Sequence, residues 1–164
     1  MSEITLTWDQ QKHLFSLPVM IQVAEKTGIG TIINTKNTQT VMYLDTGSNL
    51  TSITEEELDK LEIAVDSLPK VEVSGIGGFT QMPRLKNVNL LLLDKNTIPV
   101  QLKLDEIGVT PANIVKVREK KKGVYKRTST TVRSMLSLLG IDAVIKLKGV
   151  IELDMVNLKG KINF

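Results

Sequence analysis

The chain of 164 residues has no cysteine and a single histidine, His13. Without cysteine there is no disulfide framework, no thiol nucleophile and no thiolate metal site. A Ser-His-Asp arrangement would have to recruit His13, and no GxSxG elbow accompanies it. A zinc centre would need the same histidine with carboxylates alone, and HExxH spacing is missing. His13 is therefore read as a surface residue, and neither a metal nor a cofactor is expected.

Long apolar runs are also missing. The longest uncharged apolar run, around Val88 to Leu93, is interrupted by Asn89 and is far short of the ~20 residues that span a bilayer. The opening Met1 to Asp9 lacks the basic and apolar regions of a secretory signal, so a cytoplasmic location is expected. A nucleotide loop is excluded too: the segment from Gly75 to Thr80 misses the last glycine of GxGxxG, and neither it nor Gly28-Ile29-Gly30 continues as GK[ST].

What remains is a chain with 41% hydrophobic residues and enough length for one domain with a real core, spanning residues 1 to 164. The net charge of +3 is unevenly distributed. Lys116, Arg118, Lys120, Lys121, Lys122, Lys126 and Arg127 stand against Glu119 for a local +6, which leaves the rest of the chain at −3. The segment from about residue 110 to 133 is read as a solvated basic loop inserted into the domain. A nucleic-acid or acidic partner there is the lesser reading, because stacking aromatics usually accompany such a surface and only Tyr125 is present.

Short alternating segments dominate the remainder. Phe15 to Val23 alternates with period two, with Pro18 marking an edge or the start of a strand. Glu25 to Gly30 and Asn34 to Asn37 read as turns, with a strand from Thr38 to Leu44. Thr54 followed by Glu57 forms a capping box and predicts about two turns of helix. Lys70 to Ser74 and Phe79 to Pro83 flank Gly75-Ile76-Gly77-Gly78 as a hairpin. Leu85 to Leu93, Ile98 to Leu104, Gly149 to Leu153 and Leu158 to Phe164 complete the strands, with a short helix after Gly140.

The chemistry is concentrated at the end of the strand from Val41 to Leu44. It runs into Asp45-Thr46-Gly47-Ser48, after which Leu50 and Ile53 resume a buried pattern. A lone carboxyl near its ordinary value of ~4 is a solvated anion at neutral pH, so Asp45 works as an acid or base only if a neighbour moves that value. Thr46 offers a hydroxyl donor and acceptor short enough to lock the turn, Ser48 can donate to the carboxylate, and Gly47 allows close approach.

This segment resembles the active-site turn of aspartic proteases. With a single triplet in the chain, the resemblance is to the retropepsin-like branch, whose members build one site from two copies. Two later segments are similar to that family in the same order. Gly75 to Gly78, 30 residues after Asp45, is similar to the tip of the flap that closes over a bound peptide. Leu138-Leu139-Gly140-Ile141-Asp142 is similar to the hydrophobic-hydrophobic-Gly motif whose strand packs beside the one leading to the active-site loop. The opening Ile4 to Trp8 and the end Lys161 to Phe164 resemble the terminal strands that viral members intertwine at their dimer base. Viral members often carry an acid and an arginine at the positions of Asn49 and Ile141, so both members of that ion pair are absent together here.

The resemblance implies an all-β, retropepsin-like acid-protease barrel with one or two short helices and one lobe per chain. It implies an aspartic endopeptidase working as a homodimer on peptides or unfolded proteins, with Asp45, Thr46 and Gly47 as catalytic residues. Ser48, Gly75, Ile76, Gly77 and Gly78 are its expected substrate-binding residues. Like charges in close proximity cannot both ionise, so an Asp45/Asp45 pair would share one proton and activate water on the acid side of neutral. The alternative is a non-catalytic module that binds a peptide or an anionic partner on the same dimeric fold.

Overall fold

From Phe15 to Val23 every second side chain, Phe15, Leu17, Val19, Ile21 and Val23, is buried, as a strand with one face on the core requires. A computed structural model describes residues 2–27, 32–75, 78–111, 113–121, 124–133 and 135–164. The strands are β1 (Glu3–Asp9), β2 (Leu14–Thr27), β3 (Ile32–Leu44), β4 (Ser52–Thr54), β5 (Lys70–Gly75) and β6 (Gly78–Leu93). They continue as β7 (Pro99–Thr110), β8 (Asn113–Lys121), β9 (Val124–Arg133), β10 (Ser137–Leu139), β11 (Val150–Asp154) and β12 (Lys159–Asn163). Two short helices, α1 (Glu55–Lys60) and α2 (Ile141–Lys146), follow β4 and β10. The fold is all-β. Among the described residues no helix is long and apolar enough to cross a membrane.

The main sheet runs β11-β12-β1-β2-β3-β10-β4-β7-β6-β5, and β6 also pairs with β2. Strands β2, β3, β10, β4, β7 and β6 therefore form a closed ring of hydrogen-bonded neighbours. Two of the ring's contacts are parallel, β10 with β3 and β4 with β7. Ile21, Met42, Ile53, Leu90, Ile107 and Leu139 meet inside as fully buried side chains, joined by Leu58 and Leu61 around α1 and Ala143 and Val144 of α2.

Strand β6 shows how the ring closes. Its first half pairs with β5 and β7, and Val88 to Leu91 then pair with Val23 to Met20 of β2. Burial passes from Leu85 to Val88, Leu90 and Leu92, so the core face shifts from odd to even positions. The change occurs across Asn87, whose φ of 56° lies in the left-handed region that asparagine tolerates better than most residues. Pairing with β7 keeps the same register on both sides of it. The strand thus turns a corner without slipping.

Several sequence expectations are corrected here. Asn34 to Asn37, expected as a turn, lies within β3 opposite Glu25 to Gln22. One long antiparallel ladder supplies backbone partners there and overrides the local turn preference of asparagine. The expected turn from Glu25 to Gly30 is likewise strand as far as Thr27, and Gly28 to Gly30 lie outside the described residues. Strand β7 continues to Thr110 because its last residues pair with β4. The basic segment expected as a loop is, in its described residues, a strand pair, β8 with β9, with Arg118 opposite Arg127 and Glu119 opposite Lys126, while Lys122 lies outside them.

The terminal segments pair with each other inside one chain, Ile4 opposite Ile162 and Leu6 opposite Gly160. Ser2 and Phe164 exchange backbone hydrogen bonds of 2.9 and 3.0 Å. The outer edge of the sheet is then β11, and Val150, Leu153, Met155, Val156 and Leu158 on it and its turn are exposed.

Candidate active site

Strand β3 delivers Asp45 to the rim of the ring. Met42 and Leu44 point into the core while Val41 is exposed, and the parallel partner β10 sets Leu139 beside Leu44. The Asp45 N–H donates to the Leu139 carbonyl at 3.1 Å, so the ladder extends one residue beyond the strand. The chain then reverses. The Ser48 N–H donates to the Asp45 carbonyl at 3.2 Å, and the Gly47 N–H donates to Asp45 Oδ1 at 2.9 Å. A Cβ at Gly47 would lie 3.2 Å from that same oxygen, which is why a residue without a side chain suits the turn. The carboxylate is partly buried and oriented by a backbone donor.

A second layer of contacts comes from 91 residues further along the chain. Asp142 Oδ1 accepts hydrogen bonds from the Thr51 N–H at 2.9 Å and from the Thr51 hydroxyl at 2.7 Å. The same hydroxyl accepts from the Gly140 N–H at 3.1 Å, and the Ile141 N–H donates to the Ser48 carbonyl at 2.9 Å. The Thr51 carbonyl accepts from the Gly108 N–H at 2.9 Å. Thr51 is fully buried, so these bonds satisfy polar groups that water cannot reach. Gly140 packs so closely that a Cβ would stand 2.5 Å from the Leu50 carbonyl carbon and 2.7 Å from the Thr51 nitrogen. The Leu138 to Asp142 motif is a clamp on the loop that follows Asp45.

A third contact braces the strand itself. The Tyr43 hydroxyl donates to Asp9 Oδ2 at 2.8 Å, tying the β1–β2 turn to β3 two residues before the aspartate. The Lys12 N–H and then this hydroxyl hold the Asp9 carboxyl below its ordinary value. The carboxylate in turn raises the Tyr43 phenol.

Asp45, Thr46, Gly47 and Ser48 are thus gathered in one turn, with Thr46 and Gly47 exposed. The Ser48 hydroxyl, expected to donate to the carboxylate, donates instead to the Leu50 carbonyl at 2.8 Å, because the turn leaves that acceptor closer at hand. Thr46, expected to lock the turn through its hydroxyl, is exposed, and the locking is done by backbone donors. Gly75 and Gly78 stand opposite each other at the end of the β5–β6 ladder, while Ile76 and Gly77 lie outside the described residues. Sequence reading missed Thr51, for which only its place between the apolar Leu50 and Ile53 gave a signal, and it missed the Tyr43–Asp9 contact, for which no local signal exists.

Two surface concavities stand out, one of about 770 Å3 over β1, β11 and β12 and one of about 590 Å3 along β2, β3 and β6. Neither is lined by Asp45. In a single chain Asp45 is half-buried, with Thr46 and Gly47 exposed beside it. No protein-family model matches the chain, and no curated protein does.

Proposed function

We propose that the chain is a retropepsin-like aspartic endopeptidase that acts as a homodimer. The observation that carries this reading is the Asp45 turn, fixed to Leu139 at its start and clamped by Gly140 and Asp142 through Thr51. Such bracing has a chemical purpose if the carboxylate must meet its twin at a set distance, since a misplacement of ~1 Å costs roughly a hundredfold in rate. The closed ring, the glycine-bearing β5–β6 hairpin and the helix after Gly140 support the same reading. Thr46 and Gly47, exposed beside Asp45, and the exposed apolar edge at β11 leave surface for a second copy.

In the dimer two Asp45 carboxyls share one proton, because both cannot ionise side by side. The ionised one takes a proton from a water held between them, and the protonated one donates to the scissile carbonyl oxygen. The water oxygen bonds to the carbonyl carbon, giving a tetrahedral diol. A proton then passes to the amide nitrogen, the carbon–nitrogen bond breaks, and the pair returns to its starting state. Both the base and the acid come from the same residue in two chains.

Unfolded casein, incubated from about pH 3 to about pH 7 with and without a statine-type inhibitor, tests this. Cleavage is expected to peak on the acid side, to stop with the inhibitor, and to fall by at least roughly a hundredfold in Asp45→Asn. Undiminished cleavage by Asp45→Asn would end the reading, as would its absence at every pH.

A further inference from the structure

The basic segment, which the proposed catalysis leaves unused, is organised by its pairing. Strands β8 and β9 form a two-stranded sheet of their own, with no hydrogen-bonded neighbour in the main sheet among the described residues. Residues two apart on a strand share a face, which puts Lys116, Arg118 and Lys120 in one row along β8. Their partners on β9 are Thr130, Arg127 and Tyr125. Directly paired residues also share a face, so this row gathers four cations and Tyr125 with no acid among them. The hairpin's acid, Glu119, stands in the other row, opposite Lys126.

The register shift between Val117 and Arg118 creates this arrangement. Val117 pairs with Ser129 and Arg118 with Arg127, so Thr128 is the additional residue on β9. A regular ladder would set Arg118 against Thr128 and Glu119 against Arg127, a pair of opposite charges. The bulge instead transfers Arg127 and Tyr125 to the face of Arg118. Like charges directly opposite each other are destabilising, and an anion lying across the row relieves them.

The row also indicates what that anion is. Its cations on β8 recur every second residue, about 6.7 Å apart, which suits a polymer of repeating charge rather than a single small anion. Composition argued against nucleic acid because one aromatic is present, but pairing places that aromatic among the cations, where a base can stack on it. The rest of the chain carries −3, so net attraction for a polyanion comes from this hairpin.

We infer that the β8–β9 hairpin binds single-stranded nucleic acid, with Lys116, Arg118, Lys120 and Arg127 on phosphates and Tyr125 against a base. The inference stands apart from the peptidase reading, which casein cleavage decides.

The unmodified chain is titrated with a mixed-sequence single strand of about 16 nucleotides, as DNA and as RNA in separate arms, and binding is read by fluorescence anisotropy. Four phosphate contacts give an expected slope of log affinity against log salt of about −2.8, so a rise from about 50 to about 200 mM weakens binding about fiftyfold. Arg118→Gln with Arg127→Gln is expected to weaken binding at least about tenfold. Lys121→Gln with Lys126→Gln removes the same charge from the other face and is expected to cost less than about threefold. Tyr125→Ala is expected to lose about fivefold or more on the oligonucleotide. Absence of binding to both strands, or binding indifferent to salt, overturns the inference. So do equal losses from the two double variants, a Tyr125→Ala chain that binds like the unmodified one, or equal affinity for a polyglutamate peptide of the same charge. Because binding by the unmodified chain and its salt slope decide first, a variant that fails to fold does not rescue the idea.

Discussion

Gly140 shows how little room single residues have around the proposed catalytic turn. Its φ of −78° suits any residue, so the demand for glycine comes from space alone. A methyl group there meets the backbone of Leu50 and Thr51, which are already fixed by Asp142 and Gly108. Gly140→Ala is expected to lower stability by about 1–3 kcal/mol, read from denaturant unfolding, and to reduce cleavage beyond what the unfolded fraction explains. The sequence made both the Asp45 turn and the Gly140 motif legible as local patterns. It did not show that Thr51 joins them, because a buried threonine hydroxyl looks in sequence like any polar residue between two apolar ones. The burial of Arg84 on β6 was hidden for the opposite reason: a charged residue in an alternating strand is ordinarily on the solvent face.

At the scale of elements, helix α1 illustrates a local signal whose full meaning is tertiary. The capping box at Thr54 and Glu57 predicts the helix start correctly, and α1 begins at Glu55. Glu57 does more than cap. One carboxylate oxygen accepts from the Thr54 N–H and hydroxyl, and the other accepts from the Thr40 hydroxyl on β3 at 2.8 Å. Glu57 is buried, so its removal strands those donors in a place water does not reach. Glu57→Ala is expected to cost about 1–3 kcal/mol in chemical unfolding, and Glu57→Gln, which keeps an acceptor, clearly less. Strand ends were the least legible elements. Polar Asn34 to Asn37 and the basic Lys116 to Lys121, with Lys126 and Arg127, carry loop-like compositions, yet all lie in paired strands, where backbone hydrogen bonding is decided by the partner rather than by the residue itself.

For the whole molecule, the period-two segments disclose an all-β body but not its closure. That depends on β6 reaching β2 and on β10 entering between β3 and β4, contacts between segments far apart in the chain. The proposed two-copy site makes a prediction that needs no knowledge of the interface. When Asp45→Asn chains are added in excess to a fixed amount of the unmodified protein, cleavage is expected to fall roughly in proportion to the share of unmodified pairs lost, since a mixed pair holds one acid instead of two. Activity that is indifferent to the added variant would mean that each chain works alone. Sedimentation of the same mixtures checks that the subunits have exchanged.

The clamp from Gly140 to Asp142 also has a bearing on biosynthesis. The aspartate turn leaves the ribosome before the residues that hold it in place, Asp142 being made 91 positions after Thr51. A nascent or prematurely terminated polypeptide carries the acid without its support. The bracing of the Asp45 turn is thus a late event relative to its own synthesis, completed only once Gly140 to Asp142 have emerged.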